Sequence, residues 1–307
     1  MTAEETIKTA ARTLHLDACG IASLGHHEIL RKMLQQTGSV PFAPADIESR
    51  LHAESLLPGA RAAIVCLFPY RPAKRTPGNL ALYARARDYH QINHDYLRRL
   101  KEALSRRFPE ASFFALVDTS PLVDRWLAWQ AGLGWYGKSH CLIHPKYGSF
   151  FTIGALLTTL PLTPDTPLSS QCGTCRRCID ACPGKALSEN GFHPWTCKSY
   201  LTQKKEDLTE KETAILRKTP LIFGCDVCQL CCPWNIHAAH SPLPEVQDNR
   251  IENLSLNDLR TLSNRAFERT YKGYAFAWRG KKILLRNLEL ISRQPSASIK
   301  PISADMK

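Results

Sequence analysis

Cys172, Cys175, Cys178 and Cys182 stand in the order C-x2-C-x2-C-x3-C, and Pro183 follows the last of them. This is the ligand run of bacterial ferredoxins. Three thiolates at helical-turn spacing hold one face of a [4Fe–4S] cubane, and the fourth, displaced by the proline, points toward a neighbouring cluster. A second set is therefore required. It arrives as Cys225, Cys228 and Cys232-Pro233, with Cys197 in W-T-C-K-S-Y able to supply the missing ligand. We assign Cys172, Cys175, Cys178 and Cys232 to one cluster, and Cys182, Cys197, Cys225 and Cys228 to the other. Cys231 stays ambiguous: it sits beside Cys232 and could compete as a ligand, although two adjacent cysteines rarely serve one cluster without backbone strain. A zinc ribbon or a disulfide framework is the plainer explanation of many cysteines, but zinc knuckles pair C-x2-4-C units and do not call for the x3-C-P ending. The chemistry expected is one-electron transfer.

A chain of 307 residues can hold a full-sized core and one smaller module around such clusters. Its acidic start, M-T-A-E-E, lacks the apolar core of a secretory signal. No apolar stretch approaches the roughly 20 residues of a membrane span. Cys19, Cys66 and Cys141 stand in apolar surroundings and read as buried thiols of a reducing compartment, so a cytoplasmic protein is expected. Forty Lys and Arg against 28 Asp and Glu leave a formal charge of +12. That is enough to attract a polyanion, with nucleic acid the natural suspect and a generically basic surface the alternative. Basic residues gather at Arg98, Arg99 and Lys101, at Lys204 and Lys205, and at Arg279, Lys281, Lys282 and Arg286, yet none of these runs is a nucleic-acid motif by itself.

The elements that must position this chemistry are partly legible. Thr2 to Glu5 form a capping box, with Ile7, Ala10, Ala11 and Leu14 following at helical spacing. Residues 62–68 (AAIVCLF) read as a strand buried on both faces, residues 88–107 as a long helix, and residues 113–117 as a second buried strand ending at Asp118. Ser120-Pro121 resembles an N-cap with proline at the first helical position, starting a helix that runs to Ala131. Residues 141–143 and 150–157 read as strands around a turn at 146–148. The proline-rich residues 160–167 (LPLTPDTP) are the best boundary, and the tail from His240 is helical, with Ser255 and Asp258 as a start signal.

Two motifs mislead. Residues 132–139, G-L-G-W-Y-G-K-S, satisfy the P-loop expression, but a phosphate nest needs a strand before it and a helix after it. Here a helix pattern precedes and a strand-like run follows, and Trp135 and Tyr136 would crowd the nest. Asp88, His90 and Asn93 approximate the D-x-H-x-x-G motif of histidine-ligated cobalamin enzymes, except that Asn93 replaces the glycine. A helix start capped by Asp88 explains this stretch.

Taken in order, D-I-E-S-R ending at Arg50, R-D-Y-H ending at His90, V-D-T from Val117, A-G-L-G-W-Y-G-K ending at Lys138, both cysteine sets, S-Y-L-T from Ser199 and W-R-G-K-K from Trp278 resemble the epoxyqueuosine reductase family. These are cobalamin-dependent iron–sulfur enzymes of queuosine formation in tRNA. The resemblance runs from Asp46 to Asn287. It implies an α/β (α+β) fold: a flavin-reductase-like cobalamin domain at 1–165, a ferredoxin-like two-[4Fe–4S] module at 166–239 and a short helical C-terminal segment at 240–307. It further implies base-off cobalamin contacted by Arg50, Asp118, Leu142, Ser199 and Asp226, with Asp118 as proton donor to the departing epoxide oxygen. Burial at the end of an apolar strand would raise the Asp118 pKa as that role requires. The implied partners are a tRNA anticodon stem-loop and an external low-potential electron donor, and the protein is expected to be a monomer away from any membrane. Arg279, Lys281, Lys282 and Arg286 are the residues chosen for the tRNA backbone. Two departures stand out: Ser120 where the family commonly has glycine, and a chain that stops soon after Arg293, short of the helical repeats of longer members. The competing readings are a reductive-dehalogenase-like enzyme acting on a small molecule, a ferredoxin-type electron carrier with no substrate of its own, and a P-loop ATPase coupled to a reductase.

Overall fold

Every residue of the strand Ala62–Pro69 is buried, and one half of the molecule is built around it. The computed structural model describes residues 1–25 and 27–292. By compactness the chain divides into one unit of residues 1–69, 90–137 and 141–173, and another of residues 70–89, 138–140 and 174 onward. Among the described residues no helix is long and apolar enough to cross a membrane.

In chain order the first unit contains α1 (Ala3–Thr13), β1 (Cys19–Ser23), α2 (His27–Thr37), β2 (Ala62–Pro69), α3 (Tyr89–Arg107), β3 (Phe113–Val117), α4 (Asp124–Gln130), β4 (Trp135–Tyr136), β5 (Leu142–Ile143) and β6 (Phe151–Thr158). Its main sheet has the order β1-β2-β6-β3, with every neighbouring pair antiparallel. The capping box at Thr2 and Glu5 forms, and Ile7 and Ala11 turn inward beneath it. Helix α3 buries Ile92, Tyr96, Leu97, Leu100 and Leu104. On the same helix Asn93 is fully buried and donates from Nδ2 to Thr152 Oγ1 at 3.1 Å. That tether to β6 accounts for the residue where a cobalamin motif would need glycine.

Three local expectations are corrected. Helix α4 begins at Asp124, with Val123 as N-cap, and not at Ser120-Pro121. The Ser120 amide closes a turn on the Val117 carbonyl at 2.9 Å, so Pro121 belongs to the link between strand and helix. Residues 142–143 and 151–158 do not pair with each other. β5 pairs with β4, whereas β6 is apolar enough to lie between β2 and β3. Cys141 is half-buried, while Cys19 and Cys66 are buried as directly opposed residues of β1 and β2. The strand β1 itself was not anticipated.

The second unit contains α5 (Arg177–Ala181), β7 (Leu187–Ser188), β8 (Gly191–Phe192), α6 (Lys198–Leu201), α7 (Glu210–Arg217), α8 (Val227–Leu230), α9 (Leu256–Thr261), α10 (Asn264–Tyr271) and α11 (Lys281–Ser292). Residues 70–89, which the sequence division placed in the first domain, fall in this unit. Leu80 bridges Phe223, and the Asn79 side chain exchanges hydrogen bonds with the Leu254 backbone. The tail packs into the same core through Leu254, Leu259, Phe267, Phe276 and Leu284, and its Asn287, fully buried, donates to the carbonyls of Thr202 and Ile222. Residues 293–307, the end of the expected C-terminal segment, lie outside the described residues.

In the first unit α4 lies against β1 at Gly20, where an added Cβ would stand 2.2 Å from the Ala131 carbonyl oxygen. Backbone cannot yield there as a flexible side chain would. Gly20→Ala is therefore expected to destabilise the protein by about 1–3 kcal/mol, read as a lower urea midpoint with an unchanged slope.

Candidate functional site

In the first unit the turn after β3 carries two carboxyls in opposite environments. Asp118 is exposed, with 52% of its side-chain surface accessible, and its Oδ2 lies 3.5 Å from His90 Nε2. The burial expected at Asp118 is not found, because β3 ends one residue before it; Asp124 is half-buried. Asp124 stands in a pocket walled by Leu116, Val117, Ser120, Leu127 and Gly154. Loss of hydration raises the Asp124 pKa; Arg125 opposes that, the Asp118 charge adds to it, and Arg50 opposes it more weakly. The Asp124 Oδ1 accepts the Arg125 backbone N–H at 2.7 Å.

Arg50 ends the short 3-10 helix Glu48–Arg50 and shares a second pocket with His27, Leu30, Leu122 and Trp126. Desolvation lowers its pKa, the nearby Arg125 adds to this, and Asp124 works against it. Its Nε is buried with no hydrogen-bond partner. Leu142, buried in β5, lies opposite Tyr136 of β4. Burial pushes the Tyr136 phenol up to about 12, with Arg125 lowering and Asp124 raising it. Arg50, Asp118, Asp124 and Arg125 thus form one charged group flanked by Tyr136. Sequence reasoning named Arg50 and Asp118 and missed Asp124; the signal available was a second acidic residue six positions on in the same turn.

The apparent phosphate loop has another purpose. Gly132, at φ +67°, receives the chain as it leaves α4: its N–H donates to Trp129 O, and the Leu133 N–H donates to Ala128 O. This is a Schellman ending, which favours glycine for its left-handed backbone. β4 follows, with no helix to bind phosphate.

In the second unit the short helices α5 and α8 pack together, α5 carrying Cys178 and α8 carrying Cys228. Cys182 is buried with Ile179, Ala186 and Leu187, and Cys178, Cys197 and Cys228 pack against that cluster. Burial pushes the Cys225 thiol up to about 12; the Val227 N–H and Lys198 lower it, and Asp226 and Cys197 raise it. Cys231 is also raised to about 12 by burial, and its charged neighbours are Cys178, Cys232 and Cys175. The Cys231 thiol donates to Cys228 O at 3.5 Å. Cys172 is half-buried and falls in the last residues of the first unit. Asp226 is 2% exposed. Its Oδ2 accepts the Leu82 N–H at 2.7 Å, its Oδ1 is buried without a partner, and burial raises its pKa to about 6. Ser199 is half-buried and its carbonyl accepts from Thr202 Oγ1 and Gln203 Nε2.

Lys198 was also missed. It is 1% exposed, and Nζ donates to the carbonyls of Leu216 and Thr219, while burial lowers its pKa to about 7. Of the four cations chosen for an RNA backbone, two turn inward. Arg286 donates to the carbonyls of Leu201, Lys204 and Glu206, and Lys281 to that of Leu262. Arg279 stacks 3.7 Å from the Trp278 ring centroid, and Lys282 is exposed.

A ferredoxin-type cysteine pattern joined to a mixed α/β unit defines an iron–sulfur oxidoreductase. Residues 171–235 match the 4Fe-4S double cluster binding domain, and residues 50–119 match the family described as epoxyqueuosine reductase QueG, DUF1730. An epoxyqueuosine reductase of Bacillus cereus is 35% identical over 292 residues, covering 90% of this chain and 76% of that protein. A crystal structure of epoxyqueuosine reductase with an epoxyqueuosine-modified tRNA-Tyr stem loop superposes with a TM-score of 0.84 at 31% identity, covering 94% of this chain and 80% of that one. A Bacillus subtilis epoxyqueuosine reductase with its catalytic aspartate loop swung out of the active site gives 0.84 at 29%, with the same coverage. The chain belongs to the epoxyqueuosine reductase family, and it is an enzyme, an oxidoreductase.

The charges around Asp124 predict an order of effects on its titration. Arg125→Met should raise the Asp124 pKa further, Arg50→Met should raise it less, and Asp118→Asn should lower it. Carbon-13 NMR of the aspartate carboxyls would read this; equal shifts for the two arginine variants would contradict the arrangement.

Proposed function

We propose that this chain reduces epoxyqueuosine to queuosine at the wobble position of tRNA, using base-off cobalamin supplied with electrons by two [4Fe–4S] clusters. The observation that carries the reading is the neighbourhood of the thiols. Cys175, Cys178 and Cys232 lie by Cys231; Cys178, Cys197 and Cys228 pack against Cys182; and Cys225 is close to Cys197. Bringing both cysteine sets into one neighbourhood supports the crossed ligand pattern of two ferredoxin clusters. The substrate is supported by the solved relative that carries a modified tRNA stem loop.

In the first unit Arg50 Nε, a buried donor without a partner, fits a ligand rich in amide acceptors. Arg50, Asp118, Leu142, Ser199 and Asp226 would hold cobalamin, with residues 1–165 as its flavin-reductase-like domain and 166–239 as the cluster module. When bound, the cobalt centre supplies a strong reductant that accepts electrons one at a time from the clusters. The protein's own part is to place the nucleoside and move protons. Deoxygenation consumes two electrons and two protons: both carbon–oxygen bonds break, an alkene forms and the oxygen leaves as water. Asp118, exposed just beyond β3, is within reach of a base presented from solvent; covered by the bound nucleoside it would gain the raised pKa that giving its proton to the departing oxygen requires. The electrons come from an external low-potential donor.

An anaerobic assay of the reconstituted protein on epoxyqueuosine-containing tRNA should show loss of one oxygen by mass spectrometry, only with cobalamin present. Asp118→Asn should slow it at least ~100-fold. No conversion by protein loaded with both clusters and cobalamin would sink the proposal. The ligand assignment is tested separately. Cys225→Ser should lose about half of the bound iron, as expected when one of two four-iron clusters goes, whereas Cys231→Ala should keep it all.

A further inference from the structure

On the reading proposed above, every oxygen removed consumes two electrons, and the chain must take them from outside one at a time. Ser199 and Asp226 flank Cys197 and Cys225, so the cluster assigned to Cys182, Cys197, Cys225 and Cys228 stands on the side proposed for cobalamin. The cluster assigned to Cys172, Cys175, Cys178 and Cys232 is then left to receive electrons. Electron tunnelling weakens steeply with distance, so a donor has to dock beside one of its ligands. We propose that the turn following Cys232, with the basic segment 71–75 beside it, is the docking surface for a small acidic ferredoxin that delivers one electron per encounter. The electron leaves the ferredoxin and enters the cluster with no bond made and no proton moved, and two encounters supply one turnover.

Cys232 opens the short 3-10 turn Pro233–Asn235. Asn235, 5% exposed, anchors that turn: its Nδ2 donates to Gln229 O of α8 at 2.7 Å, and Gln229 Nε2 donates to Tyr70 Oη at 2.9 Å. The residues on either side of the anchor face water, Trp234 at 37% and Ile236 at 44% exposure. Single apolar residues in water need no explanation, but these two stand together on a fixed backbone within four residues of a cluster ligand. The segment 71–75 runs alongside. The Ser241 N–H donates to Arg71 O at 2.8 Å, the Ala73 N–H donates to Gln247 Oε1 at 3.1 Å, and Arg71 Nη2 donates to Ile236 O at 3.4 Å. The edge of the turn therefore carries the exposed Lys74 and Arg75 as well as Arg71, on which the Arg75 charge acts. These three cations outweigh Glu245 and the exposed Asp248 on either side of Gln247. An apolar centre with a charged rim has the form of a transient interface, and a cationic rim selects an acidic partner. Electron-transfer encounters bury little surface, so a turn and its rim suffice. Trp195 and Trp278 are exposed too, but Trp195 adjoins Cys197 of the other cluster and Trp278 carries Arg279, chosen above for RNA.

The test uses the cluster-loaded protein and a pre-reduced, low-potential ferredoxin of the plant type, with cluster reduction followed in stopped flow by the loss of visible absorbance. The wild-type rate should saturate with ferredoxin and fall as salt is added. Trp234→Ser should cut the rate at low ferredoxin at least ~10-fold. Lys74→Glu combined with Arg75→Glu should do the same at low salt and less at high salt. In both variants iron content, reduction by dithionite and affinity for the tRNA stem-loop should match wild type. Wild-type rates with ferredoxin in both variants would overturn the surface. So would equal slowing with dithionite, which would make the turn a support of the cluster, or weakened stem-loop binding, which would assign the cations to RNA. The inference rests on the proposed reaction but can fail apart from it. Turnover driven by dithionite, without any reduction by ferredoxin, would remove the surface and keep the reaction; reduction by ferredoxin without conversion of epoxyqueuosine would keep the surface and remove the reaction.

Discussion

The close approach of α4 to β1 is the constraint on which the first unit's chemistry rests. At Gly20 the helix comes so near the strand that no side chain fits between them. Trp126, Leu127 and Ala128 are buried along the same helix, and the Schellman ending at Gly132 fixes where it stops. With its far end pinned, the near end of α4 is held beside the end of β3 and the first half of β6, where half-buried Asp124 faces Leu116, Val117 and Gly154. Partial removal from water there disfavours the charged form of Asp124, while Arg125 and Arg50 favour it.

The second unit solves a different problem. Its thiol-bearing helices, five residues in α5 and four in α8, are far too short to be stable alone. Their positions come from what encloses them. Residues 70–89 reach in through Asn79 and Leu80, and the tail reaches back through Asn287, which bonds the backbone on both sides of α7. Lys198 spends a buried amine on two carbonyls in the same region. Backbone groups are thus tied by side chains where regular structure is too brief to satisfy them. Such a frame keeps thiols in place without relying on long elements.

This explains what could be read from the sequence and what could not. Elements set by local chemistry were legible: the capping boxes at Thr2 and Ser255, the fully apolar β2, and the span of α3. The cysteine sets were legible too, because ligand spacing is itself a local pattern. Long-range choices were not. The apolar residues of β6 serve two partners at once, which no local signal distinguishes from a hairpin with its neighbour. Strand β1, five residues with a glycine at the contact point, carries too little β-propensity to stand out. Asp118 and Asp124 could each be seen as acids, but how far each is covered depends on where a strand ends and a helix begins, and boundaries depend on tertiary packing.

Charge shows the same limit from another side. A formal +12 treats every cation as available to a polyanion, yet several are already committed to the protein's own backbone. Arg85 is buried, donates to the carbonyls of Leu80 and Thr76, and pairs with Glu252. Arg286 and Lys281 close off carbonyls around α11, and Lys198 is interior altogether. A guanidinium that satisfies three carbonyls cannot leave them for a phosphate without exposing buried acceptors, at a cost of about 1–3 kcal/mol for each. Any electrostatic attraction for a polyanion is therefore carried by cations whose heads remain in water, such as Lys282 and the exposed Arg98, Arg99, Lys101, Arg106 and Arg107 of α3. Even there Arg98 is engaged by Glu102 one helical turn on. Net charge sets the long-range attraction; which face it acts through is decided by the cations that folding has left unspent.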